Sequence, residues 1–222
     1  MYIHTNDLDI YYEKSGTGKP FLLLHGNGED HTKLSGLAAA LSKEYGVYSL
    51  DTRCHGKSTK TKTLHYHDMM EDVAGFIAAL NLTKPVLLGA SDGGITGLLL
   101  AIQYPHLLSG LIACGANTHP AQLKKWFRTI VKIGILANKS PKLMLMVKEP
   151  DISQEKLALI KTPVLFLAGQ RDVLPTSASM EMASAVPGSE IKILKGQTHS
   201  SYLKRYEIAM DAIGPFLNRI SK

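Results

Sequence analysis

The 222-residue chain is poor in cysteine, with two residues, Cys54 and Cys114, at neither metal-ligand nor redox spacing. Two isolated thiols exclude a disulfide framework and fit a reducing compartment. Long apolar runs are missing too: no stretch reaches the roughly 18 residues a bilayer-spanning helix needs. The first residues, MYIHTNDLDIYYEKSG, lack the apolar core of a secretory signal. A soluble, cytoplasmic chain is therefore expected. Metal and nucleotide signatures are also scarce. His65 and His67 of HYHD point apart on either a strand or a helix, so they read as a helix start. Gly16-Thr17-Gly18 has none of the residues that complete a phosphate-binding fingerprint and reads as a turn. No cofactor and no metal are expected.

The net charge is +6, but it is not spread over the chain. Between His119 and Pro150 lie seven lysines and arginines against Glu149 alone, which accounts for the whole excess. The remainder is neutral, so nucleic acid is not an expected partner. Within that segment, KKWFRTIVKIGILANK has helical periodicity. Trp126, Phe127, Ile130, Val131 and Ile135 fall on one face, and Lys124, Lys125, Arg128 and Lys132 on the other. A membrane-surface helix has this same pattern. Packing of the apolar face on a pocket mouth is the reading taken here, with Trp126 as a substrate contact and no membrane contact expected.

Elsewhere, apolar strands alternate with helical stretches. MYIH and DIYYE read as a hairpin around Asn6-Asp7, and KPFLLLHG, VYSLD, PVLLGAS, LLSGLIACGA, TPVLFLAG and SEIKILKG as further strands. Helices are expected in HTKLSGLAAALSKEYG, stopping at Gly46, and in HDMMEDVAGFIAALN, DGGITGLLLAIQY, TSASMEMASAV and the tail from Ser201 to about Ile220. This alternation predicts one α/β domain over 1–222, with a mostly parallel sheet of about eight strands and helices on both faces. Ligands in such sheets bind beyond the carboxyl ends of the strands.

Four of those ends carry chemistry. Gly89-Ala90-Ser91-Asp92-Gly93 puts a serine at a sharp strand-to-helix corner with a glycine two residues away on each side. Such a corner lifts a hydroxyl clear of the sheet and aims the next helix's N-terminal amides at any anion beside it. The plain alternative for Ser91 is a helix N-cap. Asp172 follows the next-to-last strand and His199 the last. A serine needs an imidazole to take its proton, and the imidazole needs a carboxylate to fix its tautomer. Asp172 as a turn cap is the alternative, and Asn117 is the nearest group beyond the preceding strand. The fourth end is His25-Gly26-Asn27-Gly28. There the Asn27 amide, with that of Asp92, would make a two-donor oxyanion hole. His25 is placed at the substrate side or as a brace of that loop. Asp92 is either a helix-start acid favoured by the dipole or a pocket carboxylate for a cationic substrate group.

HGNG, DTRCHGKS, GASDGG, GQRDVLP and GQTHSSY, in this order over nearly the whole chain, resemble the α/β-hydrolase superfamily, and the GxSDGG elbow is similar to that of small bacterial esterases. Cys54 stands where that family commonly has glycine. The resemblance implies an α/β-hydrolase fold with a small helical lid at about 118–158. It also implies an esterase acting on a small-molecule ester through Ser91, Asp172 and His199. C–C bond hydrolysis, lactone opening and perhydrolysis on the same triad, or a non-catalytic binding role, remain open, as does a homodimer.

Overall fold

The computed structural model describes residues 1–221. Its centre is an eight-stranded sheet in the order β1-β2-β4-β3-β5-β6-β7-β8. β1 (Tyr2–Thr5) and β2 (Leu8–Ser15) pair antiparallel around Asn6 and Asp7, whose φ of 49° and 59° suit a tight hairpin turn. β2 pairs antiparallel with β4 (Tyr45–Leu50), and from β4 onward the strands are parallel. The strands β4, β5 (Val86–Ala90), β6 (Gly110–Cys114) and β7 (Val164–Gly169) are buried at every position. Their near-continuous apolar sequence follows from burial on both faces. β3 (Lys19–Leu24) joins them after its first two residues, and β8 (Glu190–Leu194) closes the far edge.

One face of the sheet is covered by α2 (Tyr66–Ala79), α3 (Asp92–Gln103) and α7 (Thr176–Ala185), with Phe76, Ile95, Leu98 and Met182 in that core. The other face is covered by α1 (Ser35–Leu41) and by the C-terminal helix pair, with Leu37, Leu41, Ile213 and Phe216. Two features differ from the expected helices. α1 ends at Leu41, and Gly46 lies inside β4, where a Cβ would crowd the Gly18 carbonyl at 3.3 Å. The tail is not continuous. It breaks at Arg205, whose ψ of 73° is not helical, into the short helix Ser201–Lys204 and the long helix Tyr206–Ile220. The break lets the Tyr206 ring lie over Gly36 of α1.

The segment expected to form the lid lies between β6 and β7. It holds α4 (Lys125–Ala137), α5 (Pro141–Lys148) and the single turn α6 (Gln154–Leu157). In order, then, the tail helices are α8 (Ser201–Lys204) and α9 (Tyr206–Ile220). The connection from β3 leads to β4 on one side, and the chain then crosses back to β5 on β3's other side. The carboxyl ends of β3 and β5 therefore flank the point where the strand order reverses, and a crevice opens there. Among the described residues, no helix is long and apolar enough to cross a membrane.

Candidate active site

Ser91 sits between β5 and α3 with φ 51° and ψ −111°, a conformation a residue with a side chain adopts only when its surroundings enforce it. The surroundings are tight. A Cβ on Gly89 would fall on the Gly93 carbonyl, and one on Gly93 would lie 2.5 Å from the Leu24 carbonyl oxygen. The two glycines thus let strand and helix close on each other while Ser91 is pushed out into a cleft of about 480 Å³. Gly26, Asn27, Glu29, Lys33, Ser91 and His199 line it together with Phe127, Val131, Leu143 and Met146 of α4 and α5.

The loop after β7 carries Asp172 and the loop after β8 carries His199, which brings two groups 27 residues apart into contact. His199 Nδ1 donates to Asp172 Oδ1 at 2.6 Å, and the Leu174 amide donates to the same oxygen at 3.1 Å. The Asp172 side chain is fully buried. Gly115, with φ 60°, makes room for the pair, because a Cβ there would lie 2.8 Å from His199 Cε1. Burial works against a charged His199, but the Asp172 hydrogen bond and charge outweigh it and leave the imidazole pKa above its ordinary value. With Nδ1 committed to Asp172, Nε2 is the nitrogen left for the cleft that His199 shares with Ser91.

The amides of Asn27 and Asp92 donate to no other group among the described residues. Asp92 is the first residue of α3, where a helix amide has no partner of its own and the dipole favours negative charge. The Asn27 loop is held from below by two buried histidines. His25 donates from Nδ1 to the Gly26 carbonyl at 2.8 Å and accepts the Thr52 amide on Nε2 at 3.1 Å. His55 accepts the Gly28 amide on Nε2 at 3.1 Å and donates from Nδ1 to the Arg53 carbonyl at 2.9 Å. Both must be neutral to accept. Burial lowers the pKa of each, and the adjacent imidazole helps push His55 to about 3.

His25 therefore braces the loop and does not face the cleft. The sequence reading missed His55 of DTRCHGKS, because nothing local marks it as a brace; the glycine after it has a φ of 44°. A Cβ on that Gly56 would collide with the Asp51 carboxylate. Trp126 is also outside the Ser91 cleft, on the outer side of the lid and 55% exposed. Asp92 is buried, and both its oxygens are taken. Tyr66 Oη donates to Oδ1 at 2.7 Å and Asn27 Nδ2 donates to Oδ2 at 2.8 Å. Burial raises the Asp92 pKa, and these two hydrogen bonds act against the rise. Each oxygen thus already has one partner, at the edge of a small space that Asp92 shares with Ser91 and His199. Asp92 ties α2, the Asn27 loop and the serine corner together. Asn27 Nδ2 also donates to the Lys142 carbonyl at 3.0 Å, which attaches α5 of the lid to the same knot.

Asp30, His31 and Asp51 are the one group of potential metal ligands among the described residues with mutually close ligand atoms. Their oxygens already have local partners. Asp51 accepts from the amide and Nδ1 of His31 and from the Lys57 amide, and Asp30 caps the Thr32 amide at 2.9 Å.

Residues 19–214 match the family model described as alpha/beta hydrolase fold. A segment of 111 residues is 34% identical to an sn-1-specific diacylglycerol lipase of Xenopus laevis, covering 49% of this chain and 36% of that protein. The chain spans about a third of the length of the first curated relatives it matches. Among solved structures, a thermophilic esterase from Thermogutta terrifontis superposes with a TM-score of 0.82 at 24% identity, over 100% of this chain and 99% of that one. An enol-lactonase from Burkholderia xenovorans also gives 0.82, at 20% identity, over 98% and 100%.

Proposed function

The chain belongs to the alpha/beta hydrolase family, and on that premise we propose that it is a serine hydrolase that cleaves a carboxylic ester of a small molecule through an acyl-enzyme. The observation that carries the reading is the 2.6 Å His199–Asp172 pair opening on the cleft that holds Ser91 at φ 51°.

In the first half of the reaction, Ser91 Oγ attacks the ester carbonyl while His199 Nε2 takes its proton. Negative charge develops on the carbonyl oxygen, and the Asn27 and Asp92 amides donate to it. Because the fold already fixes both donors, they need no reorganisation when the charge appears. Asp172 holds the imidazole with its proton on Nδ1 and stabilises the imidazolium. The tetrahedral centre collapses as His199 returns the proton to the departing alcohol oxygen, leaving the acyl group on Ser91. Water then repeats the sequence: His199 takes a proton, the hydroxide oxygen bonds to the carbonyl carbon, and Ser91 leaves with its proton restored. The net change is ester plus water to acid plus alcohol.

The apolar lining from Phe127, Val131, Leu143 and Met146 supports an apolar group on one side of the scissile bond. The test uses a fluorescent alkyl fluorophosphonate together with p-nitrophenyl ester turnover. Wild type is expected to label once and to turn over; Ser91→Ala is expected to do neither. Labelling of Ser91→Ala, or turnover above about a hundredth of wild type, would overturn the assignment, because loss of a triad nucleophile costs far more than that.

A further inference from the structure

The lid helix α4 has two apolar faces, and the Ser91 cleft uses one of them. Phe127, Val131 and Gly134 line the cleft. Trp126, Ile133 and Leu136 point the other way, exposed by 55%, 61% and 86%, and Ile130, 58% exposed, lies on the border and lines the cleft as well. Of the eight large apolar side chains exposed among the described residues, these four lie on this single helix. At 3.6 residues per turn they fall within about 120° of its circumference. Of the apolar face expected to pack on the pocket mouth, Phe127, Ile130 and Val131 line the cleft, whereas Trp126 and Ile135 do not. A contiguous exposed apolar strip calls for an occupant.

The charge around the strip says which. Lys125 and Lys132 flank it on α4, Lys139 stands just past the end of the helix, and all three are exposed. No acidic residue occurs between Lys124 and Lys148, while the rest of the chain is neutral. A second copy docking through the same face would set one cationic lid against another. An apolar strip edged by lysines on one flank instead matches the boundary between headgroups and acyl chains of an anionic bilayer, where long lysine stems lie along apolar surface with their charge at the phosphates. Ile130 borders both the strip and the Ser91 cleft.

We infer that α4 docks this protein on an anionic lipid surface, inserting Trp126, Ile130, Ile133 and Leu136 and holding Lys125, Lys132 and Lys139 at the lipid phosphates. Docked this way, the cleft mouth beside Ile130 faces the lipid. The inference does not depend on the reaction at Ser91.

Trp126 is the chain's one tryptophan, so its emission reports on the strip without labelling. The test titrates the protein with vesicles of phosphatidylcholine containing a minority of phosphatidylglycerol, and with pure phosphatidylcholine vesicles. With the mixed vesicles the emission is expected to shift to the blue and to be quenched by brominated acyl chains. Partitioning to pure phosphatidylcholine is expected to be roughly a hundredfold weaker, from the loss of attraction to three surface lysines. Ile133→Asp/Leu136→Asp alters only exposed positions and is expected to keep the wild-type melting temperature while weakening vesicle binding at least tenfold. Four results would overturn the inference: no shift with mixed vesicles, a shift without bromolipid quenching, binding unchanged in the double variant, or a vesicle-free shift that grows with protein concentration and so marks self-association. A response to polyglutamate with none to vesicles would also overturn it, in favour of an acidic protein partner.

Discussion

Tyr66→Phe removes a single oxygen from the knot beneath the serine corner. The Tyr66 hydroxyl donates to Asp92 Oδ1 at 2.7 Å, and both residues are about 2% exposed. Phenylalanine keeps the ring and its packing, so no cavity term enters. What is lost is a hydrogen bond to a buried carboxylate, worth about 1.5–3 kcal/mol. For a chain of this size that corresponds to a fall in melting temperature of about 3–12 °C. The loss should also depend on pH. Burial already raises the Asp92 pKa in the fold, with the Tyr66 and Asn27 hydrogen bonds holding it down. A carboxylate whose folded pKa is raised destabilises the fold when ionised; that penalty starts to shrink as pH falls through the raised value and is gone below the ordinary one. Removing the Tyr66 donor raises the pKa further, so the variant's deficit is largest when Asp92 is ionised and shrinks once it is protonated. Urea unfolding followed by far-ultraviolet circular dichroism, at about pH 8.5 and in steps toward acid, measures both. A deficit below about 0.5 kcal/mol at the higher pH would refute the claim that this bond supports a buried anion. A deficit that grows on acidification would refute the sign.

Asp172→Asn is expected to keep the fold and to lower kcat by about 10³–10⁴, because the amide cannot hold His199 in the tautomer the reaction needs; a loss under tenfold would mean that another group orients the imidazole. In wild type, kcat/KM should rise with pH through a midpoint above the ordinary imidazole value of 6.5, since His199 must be neutral to take the serine proton and Asp172 favours its protonated form; a midpoint below that value would contradict the pairing. His55→Ala frees the Gly28 amide and should lower kcat about ten- to a hundredfold with little change in KM, a fraction of what losing an oxyanion donor costs; an unchanged kcat would show that the loop holds its shape without His55.

Much of the fold was legible because several strands are buried on both faces and carry nearly unbroken apolar runs that stand out without context. The glycines at 89 and 93 were equally plain, since a steric requirement at fixed offsets from Ser91 leaves a local trace. The chain order Ser91, Asp172, His199 could be read because each follows a strand, and parallel strands deliver their carboxyl ends to one edge of the sheet.

The limits appear where a side chain's meaning depends on what comes to meet it. Asp92 was readable as a helix-start acid beside a serine. That its two oxygens are occupied depends on Tyr66 and Asn27, which are 26 and 65 residues away. His55 looked like one more residue of a loop until the fold set it under Gly28. The periodicity of α4 told that the helix has apolar and basic faces, but amphipathicity is a property of one helix alone. Which part of the apolar arc turns inward is fixed by the rotation of α4 against α5 and the cleft, and that rotation put Phe127 inside and Trp126 outside. The sequence by itself determined the strands, the corner and the placing of Ser91, Asp172 and His199 after strand ends, because local sterics and burial periodicity act over a few residues. Only the tertiary structure decided the partners of buried polar groups and the facing of the lid, because hydrogen bonds between distant segments and helix packing leave no pattern in any single stretch of chain.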